Sequence, residues 1–443
     1  MSKLLFNAAV FTEKMRYKEV RQAISLLEKG NAASKNELEE LKNKLFADLI
    51  QFIYNNNIFY KNVFNAHGLK PADFKTLSDI TKLPLLTKTA IKENRKDLST
   101  PSIPQKDVLA RTSGGTTGEP IFIEVDRQAR LYDLYAYYRG LHWMGWTPGE
   151  SMVKFFGGSM GGNNSPTLKN KIKKIVSSEL FLPAFDLKRD NAKVYLDAIK
   201  QRGKTFLQGY VSSIYTLAVY AKEYNYKGLK IQGAFTTAEQ LPAEQAEFIS
   251  EVFGCDVKGF YGCAEINCLG FQTKMNGPYI IPDELVHIEN IKHPETNIDN
   301  SFLVTSLHNR KTPLLRYLNG DSGILGNSHE KYTTINELHG RTADMFIKPD
   351  GSYISSILAT QTMQITGLTH KVKRYQLVQD DKDHIIFYYE PFAEDLFDEE
   401  LKKIVHMYNS RVGMEFKITS KKTDHFITSS AGKHRLMINK LRN

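Results

Sequence analysis

The chain has 443 residues, 41% hydrophobic and 24% charged, which exceeds one ordinary domain and excludes a disordered chain. Lysine and arginine number 59 against 49 acidic residues. The resulting +10 is too diluted over this length to define a nucleic-acid-binding surface.

The first twenty residues hold a short apolar stretch, with no small-residue cleavage site before charge returns. No run approaches the roughly 20 apolar residues of a spanning helix. Three cysteines cannot build a disulfide framework. A cytoplasmic protein without an integral membrane segment is expected. Residues 1 to about 95 read as helical. Ser34 caps a helix whose Leu38, Leu41, Leu45, Leu49 and Phe52 recur near helical spacing, and Pro84 and Thr87 mark a turn into another helix.

From residue 106 to about 340 the texture becomes α/β. Strand-prone runs at 121–125, 257–261 and 302–307 alternate with helical stretches at 127–143, 190–202 and 242–253. The last hundred residues read as a smaller α+β unit. Its strands are KRYQLVQ, HIIFYYE and EFKITS, and an amphipathic helix covers AEDLFDEELKKIVHMYNSRV.

The segment most informative for chemistry is Arg111-Thr-Ser-Gly-Gly-Thr-Thr-Gly-Glu-Pro120. Adjacent glycines let several backbone N–H groups converge on an anion, and Thr112, Ser113, Thr116 and Thr117 add hydroxyl donors. A turn between strands would use similar residues, but eight consecutive small or hydroxyl side chains exceed what a turn needs. No lysine follows Gly118 to complete a Walker A loop, and GGSMGG at 157–162 does not fit the dinucleotide fingerprint.

SGGTTGEP resembles the phosphate loop of the adenylate-forming superfamily of acyl-CoA synthetases, peptide-synthetase adenylation domains and luciferases. Five further elements follow in the superfamily's order. Thr236-Thr-Ala-Glu-Gln-Leu241 resembles its adenine-binding loop, and Tyr261-Gly-Cys-Ala-Glu265 its YGxxE element. Arg316-Tyr-Leu-Asn-Gly-Asp321 is similar to its YRxGD element, Gly340-Arg-Thr-Ala-Asp-Met345 to its hinge, and Ser430-Ala-Gly-Lys433-His-Arg435 to its catalytic-lysine motif. FKTLSDITKLPLLTKTAIKEN, GWTPGE and MFIKPDGSYI resemble the phenylacetate–CoA ligase-like branch, particularly its capsule-locus (CapK-type) members.

The resemblance implies an α/β fold: a large adenylate-forming domain over 1–340, N-terminal helices included, and a mobile α+β lid over 341–443 that turns about Asp344. It implies ATP and Mg²⁺ as cofactors. Thr112, Ser113, Gly114, Gly115, Thr116, Thr117 and Gly118 would cradle the ATP phosphates, with Thr117 also catalytic. Thr237, Ala238 and Glu239 would border the adenine, and Tyr261 and Gly262 would lie against it. Asp321, with Arg341 nearby, would take the ribose hydroxyls. Glu265 would hold Mg²⁺, a hard cation suited to carboxylate oxygen. Lys433 would stabilise charge developing between the carboxylate and the α-phosphate. Taken singly, Glu265 is a capping carboxylate, Asp321 a turn residue and Lys433 a surface charge. Their shared order reverses that reading.

The expected reaction is activation of a carboxylic acid as acyl-AMP, followed by acyl transfer to a thiol of CoA or a carrier protein. An amine acceptor, such as an amino sugar in surface-polysaccharide synthesis, is the alternative. Lys348-Pro-Asp-Gly-Ser352 stands where CoA ligases of the superfamily carry a glycine-containing Arg-Gly segment, so the acceptor stays open. No nucleic-acid partner is expected, and a homodimer is compatible with the resemblance. Cys255, Cys263 and Cys268 lack a paired CxxC unit, and buried or incidental cysteines are expected rather than zinc. Phe155, Phe156, Trp143 and Trp146 read as core or as the wall of an acyl pocket. Lys169, Lys171, Lys173 and Lys174 read as a solvated face or a contact for an acidic carrier.

Overall fold

The computed structural model describes residues 17–112, 121–156, 178–326, 331–341, 345–349, 353–354, 372–391, 398–412, 416–428 and 434–442. The phosphate-loop-like residues 113–120, Asp344, expected to be the hinge, Lys433 and the basic stretch at 169–174 lie outside them.

The N-terminal region is helical: α1 (Lys18–Ala32), α2 (Lys35–Asn56), α3 (Ile58–Ala66) and α4 (Lys88–Glu93). Helix α2 begins where expected because Ser34 and Glu37 form a reciprocal capping box. Thr87 caps α4 by accepting from the Ala90 N–H. The buried stripe of α2 differs from the leucine pattern. It runs through Leu38, Lys42, Phe46, Leu49, Ile50 and Ile53, with Leu41, Leu45 and Phe52 on its shoulder. Lys42 enters the stripe because Asp283 lies 3.0 Å away, and both side chains are buried. Together with the Tyr60 hydroxyl, which donates to the Pro313 carbonyl at 3.2 Å, this pair fastens the N-terminal helices to the large domain.

Strands β1 (Val108–Thr112) and β2 (Phe122–Asp126) pair antiparallel, Thr112 opposite Phe122. Asp126 then caps helix α5 (Arg127–Trp143) by accepting from the Ala129 N–H. Among the described residues an eleven-stranded sheet follows. It comprises β3 (Met152–Phe156), β4 (Glu179–Pro183), β5 (Lys204–Tyr210), β6 (Lys230–Thr237), β7 (Val257–Tyr261), β8 (Gly270–Gln272), β9 (Tyr279–Ile280), β10 (Val286–Ile291), β11 (Ser301–Ser306), β12 (Tyr317–Leu325) and β13 (Thr334–Arg341). Their order is β10-β11-β12-β13-β9-β8-β7-β6-β5-β3-β4. The β7-β6-β5-β3-β4 half is parallel, and the rest is antiparallel.

Parallel neighbours need crossovers, supplied by α6 (Ala192–Gln201), α7 (Val211–Glu223) and α8 (Ala243–Phe253). The period-two alternation of a strand divides the core. Met152, Phe206 and Phe235 face α5 and the N-terminal helices, while Val153, Leu207 and Ala234 face α6, α7 and α8. Phe155, Phe156 and Trp146 are buried in these two cores. Trp143 packs on Phe271 and Tyr332 with the Arg139 guanidinium 4.5 Å from its ring centre.

A short pair, β14 (Phe346–Ile347) and β15 (Tyr353–Ile354), precedes a smaller α+β unit. Its sheet is β18-β17-β16-β19, with β16 (Val372–Asp381), β17 (His384–Pro391), β18 (Lys417–Lys422) and β19 (Met437–Asn439). Helix α9 (Asp398–Val412) packs Ile404 and Tyr408 against Tyr375, Leu377 and Phe387. No helix among the described residues is long and apolar enough to cross a membrane.

Candidate active site

The carboxyl ends of parallel strands are where open α/β sheets bind ligands, because the connecting loops diverge there and leave a crevice. Thr237 ends β6 and Tyr261 ends β7, with Ala238 and Glu239, and Gly262 and Glu265, in the segments that follow them. Ala238 adopts φ +68, a left-handed conformation for a residue with a Cβ, so the chain turns sharply out of β6 into Glu239. Gly262 admits no larger residue, since a Cβ there would lie 1.9 Å from the Asn267 carbonyl oxygen.

Sixty residues apart in sequence, Tyr261 and Asp321 meet. The Tyr261 hydroxyl donates to Asp321 Oδ2 at 2.8 Å, and the Asn319 amide donates to both at 3.0 and 3.1 Å. Burial, followed by the Asp321 charge, drives the Tyr261 hydroxyl well above its usual range and keeps it protonated as the donor. Its ring lies between Tyr279 and Phe302, with centroids 6.5 and 6.3 Å away. Asp321 sits opposite Arg341 in the β12–β13 ladder, so the two ribose candidates share one register position. Arg316 does different work. Its guanidinium holds Glu289 and donates to the Thr81 and Leu83 carbonyls, tying the segment before α4 to the sheet.

Glu265 is buried and accepts from the fully buried Tyr317 hydroxyl at 2.8 Å. It lines a cleft with Arg111, Tyr132, Asp133 and His308. Arg111, the last charge before the phosphate-loop-like segment, pairs with Asp133 of α5 at 2.7 Å. Burial raises the Asp133 carboxyl, and the Arg111 guanidinium opposes that rise. Burial also pulls His308 down to about 4. Its Nε2 lies 2.7 Å from the Glu284 carbonyl oxygen, which can only accept, so the neutral ring carries its proton on Nε2. Among the described residues no group of three or more His, Cys, Asp or Glu side chains gathers to hold a metal ion. Cys268 is buried, and Cys255 and Cys263 are half-buried.

Glu239 faces the C-terminal unit. Its Oε2 accepts the Ser212 N–H at 2.7 Å, and its Oε1 accepts the Ser212 hydroxyl at 3.0 Å and the His434 N–H at 3.1 Å. His434 is itself fixed: Nε2 lies 3.0 Å from the Tyr375 carbonyl oxygen, and the residue bridges to Thr428. Burial lowers it to about 4, leaving it neutral. Nearby, Glu244 Oε1 and the Tyr375 hydroxyl are buried without a hydrogen-bond partner. Asp133, His308 and Ser212 had no signal in the sequence, and Arg111 and Tyr317, though inside recognised motifs, acquire their roles here only from partners elsewhere along the chain.

This is the fold of the adenylate-forming enzymes. A structure of 2-hydroxyisobutyryl-CoA ligase in the postadenylation state, in complex with R3-HIB-AMP, matches with a TM-score of 0.69 at 17% identity, covering 92% of this chain and 89% of that one. The same ligase in the thioesterification state, with 2-HIB-AMP and CoA, gives 0.56 at 18% identity over 91% and 90% of the chains. An acyl acid amido synthetase in complex with 2,4-DB gives 0.65 at 11% identity over 95% and 94%.

Within that fold the chain is similar to proteins of the phenylacetate–CoA ligase-like branch of the adenylate-forming superfamily. Protein CapK of Staphylococcus aureus is 23% identical over 424 residues, covering 92% of this chain and 90% of CapK. Phenylacetate-coenzyme A ligase of Escherichia coli (strain K12) is 34% identical over 92 residues, covering 20% and 21%. No family model matches the chain.

Proposed function

We propose that the protein is an ATP-dependent, AMP-forming ligase that activates a carboxylic acid and passes its acyl group to a thiol. In the first half-reaction a carboxylate oxygen attacks the α-phosphorus of ATP, the bond to the β-phosphate oxygen breaks, and pyrophosphate leaves with that bond's electron pair. In the second, a thiol sulfur attacks the acyl carbon, AMP departs, and the thiol proton is released.

The observation that carries this reading is the hydrogen bond from His434 to Glu239, at the carboxyl edge of β6. It brings His434, the residue that follows Lys433 in the sequence, to the carboxyl edge of β6, which supports a role for Lys433 in the reaction. Lys433 then serves as the cation that stabilises charge at the reacting phosphate, and Asp321 holds the ribose hydroxyls beside Arg341. The segment Ser113–Gly118, which follows Thr112 in the sequence, supplies phosphate donors. Thr237, Ala238, Tyr261 and Gly262 line the adenine side.

The buried Glu265, with one oxygen engaged by Tyr317 and its side chain on the cleft, suits a hard cation. Mg²⁺ bound there supplies positive charge to the triphosphate. The higher likeness to the postadenylation state than to the thioesterification state supports assigning the present lid orientation to adenylate formation.

An amine acceptor in surface-polysaccharide synthesis is the second reading. The CapK relative spans 92% of the chain, and the amido synthetase fold spans 95%. ATP–pyrophosphate exchange across a panel of carboxylic acids tests the shared first step. Exchange with at least one acid is expected, and no exchange with any acid, together with no Mg²⁺·ATP binding, would overturn it. Offering CoA and hydroxylamine to the loaded enzyme then separates thiol from amine.

A further inference from the structure

Glu239 occupies the position where the superfamily resemblance predicts contact with the nucleotide. Its carboxylate is otherwise engaged. Both oxygens are taken by hydrogen bonds from two separate parts of the molecule: Ser212 in the first turn of α7, and His434 in the C-terminal unit. The first N–H groups of a helix have no intrahelical acceptor, so the Ser212 N–H offers an anion a donor at the positive end of the helix dipole. The Ser212 hydroxyl adds a second donor from the same residue. Glu239 is therefore oriented by the large domain before the C-terminal unit contributes anything.

On the other side, the His434 N–H is presented by a well-fixed segment. The ring is buried with Nε2 on the Tyr375 carbonyl, and Gln376 Nε2 holds the Ile427 and Arg435 carbonyls at 2.8 and 2.7 Å. The Leu377 N–H also donates to the Leu436 carbonyl at 2.9 Å. A fixed acceptor on one body thus meets a fixed donor on the other, one residue from Lys433.

We infer that Glu239 is a positioning residue rather than a nucleotide ligand, the latch that fastens the lid, and with it Lys433, in the orientation for adenylate formation. This rests on the ligase reading given above. A lid that must later turn cannot keep this bond, so the latch acts in the first half-reaction and is released for the second. A charge-assisted acceptor suits the task because it is stronger than a neutral hydrogen bond.

The test uses the full chain and the variants Glu239→Ala, Glu239→Gln and Ser212→Ala. Lid orientation is read by pulsed electron paramagnetic resonance between nitroxides carried on unnatural amino acids at Val194, 66% exposed on α6, and His425, whose side chain is 96% exposed on the C-terminal unit. The wild type should show one narrow distance. Glu239→Ala should broaden it, with Ser212→Ala and Glu239→Gln falling between, because each retains part of the bond set.

Mg²⁺·ATP affinity should stay within about twofold, and pyrophosphate exchange should fall by about 10- to 100-fold, the effect of misplacing a reacting group by an ångström. Acyl transfer from chemically prepared acyl-AMP should be spared. A distance distribution unchanged in Glu239→Ala would overturn the latch, as would a loss of ATP affinity matching the loss of exchange. If the wild type exchanges with no acid, the ligase reading fails, while the distance measurement still decides whether Glu239 fastens the lid.

Discussion

Replacing Glu244 by glutamine should stabilise the protein at alkaline pH and leave it nearly unchanged at acidic pH. Glu244 sits in the first turn of α8, only 7% exposed, with Oε1 unpartnered. The groups facing it are Tyr215 of α7 and Tyr375 of β16, whose hydroxyls are raised by burial first and by its charge second, and Glu247 of its own helix, which adds like charge. No cation faces it among these groups. Burial is the main cause that raises its carboxyl from 4.5 to about 7, with the Glu247 charge adding to it.

The sign follows from linkage. The folded state holds the proton more tightly than the unfolded state, so this group's contribution is fully present below about 4.5 and is lost as pH rises through about 7. Ionising a carboxyl held at about 7 rather than 4.5 costs the fold up to about 3 kcal/mol. Glutamine has the shape of the protonated acid and removes that cost. Differential scanning calorimetry of both proteins at pH 5 and pH 8.5 is the assay. The variant's melting temperature should exceed the wild type's at pH 8.5, with a several-fold smaller excess at pH 5. An equal difference at both pH values would refute the reasoning, because a pure packing change carries no proton linkage.

Lys42→Met should be strongly destabilising, by about 3–5 kcal/mol in chemical denaturation, because it strands a buried Asp283; adding Asp283→Asn should recover much of the loss. Tyr317→Phe removes the donor that orients Glu265. Exchange should fall with a raised Mg²⁺ requirement, seen by titrating Mg²⁺ into ATP binding by calorimetry, while stability falls by about 1–3 kcal/mol. Asn319→Ala should weaken ATP binding in the same calorimetric titration, because Asn319 holds both the Tyr261 hydroxyl and the Asp321 carboxylate; unchanged affinity would detach that triad from the nucleotide.

Local signals in the sequence were read well where a single segment decides its own structure. The Ser34 cap, helix 127–143 and strand 257–261 appear where their patterns place them. What eluded the sequence is nonlocal. The placing of β3 between β5 and β4 depends on pairings that no single window contains. Lys42 on an apolar stripe makes sense only with Asp283, 241 residues away. Glu239 shows the same limit at the candidate site. Its motif context suggests a nucleotide contact, while its partners stand 27 residues before and 195 residues after it. By contrast, Asp321 and Tyr261, named separately from their motifs, meet at 2.8 Å.

The most direct test of the central claim compares wild type with Lys433→Ala for two quantities, Mg²⁺·ATP binding by calorimetry and ATP–pyrophosphate exchange with an acid that the wild type accepts. The account predicts that exchange is abolished while ATP affinity is largely kept, because Lys433 acts on charge that develops only in the transition state. Equal loss of both would contradict it and make Lys433 a structural residue.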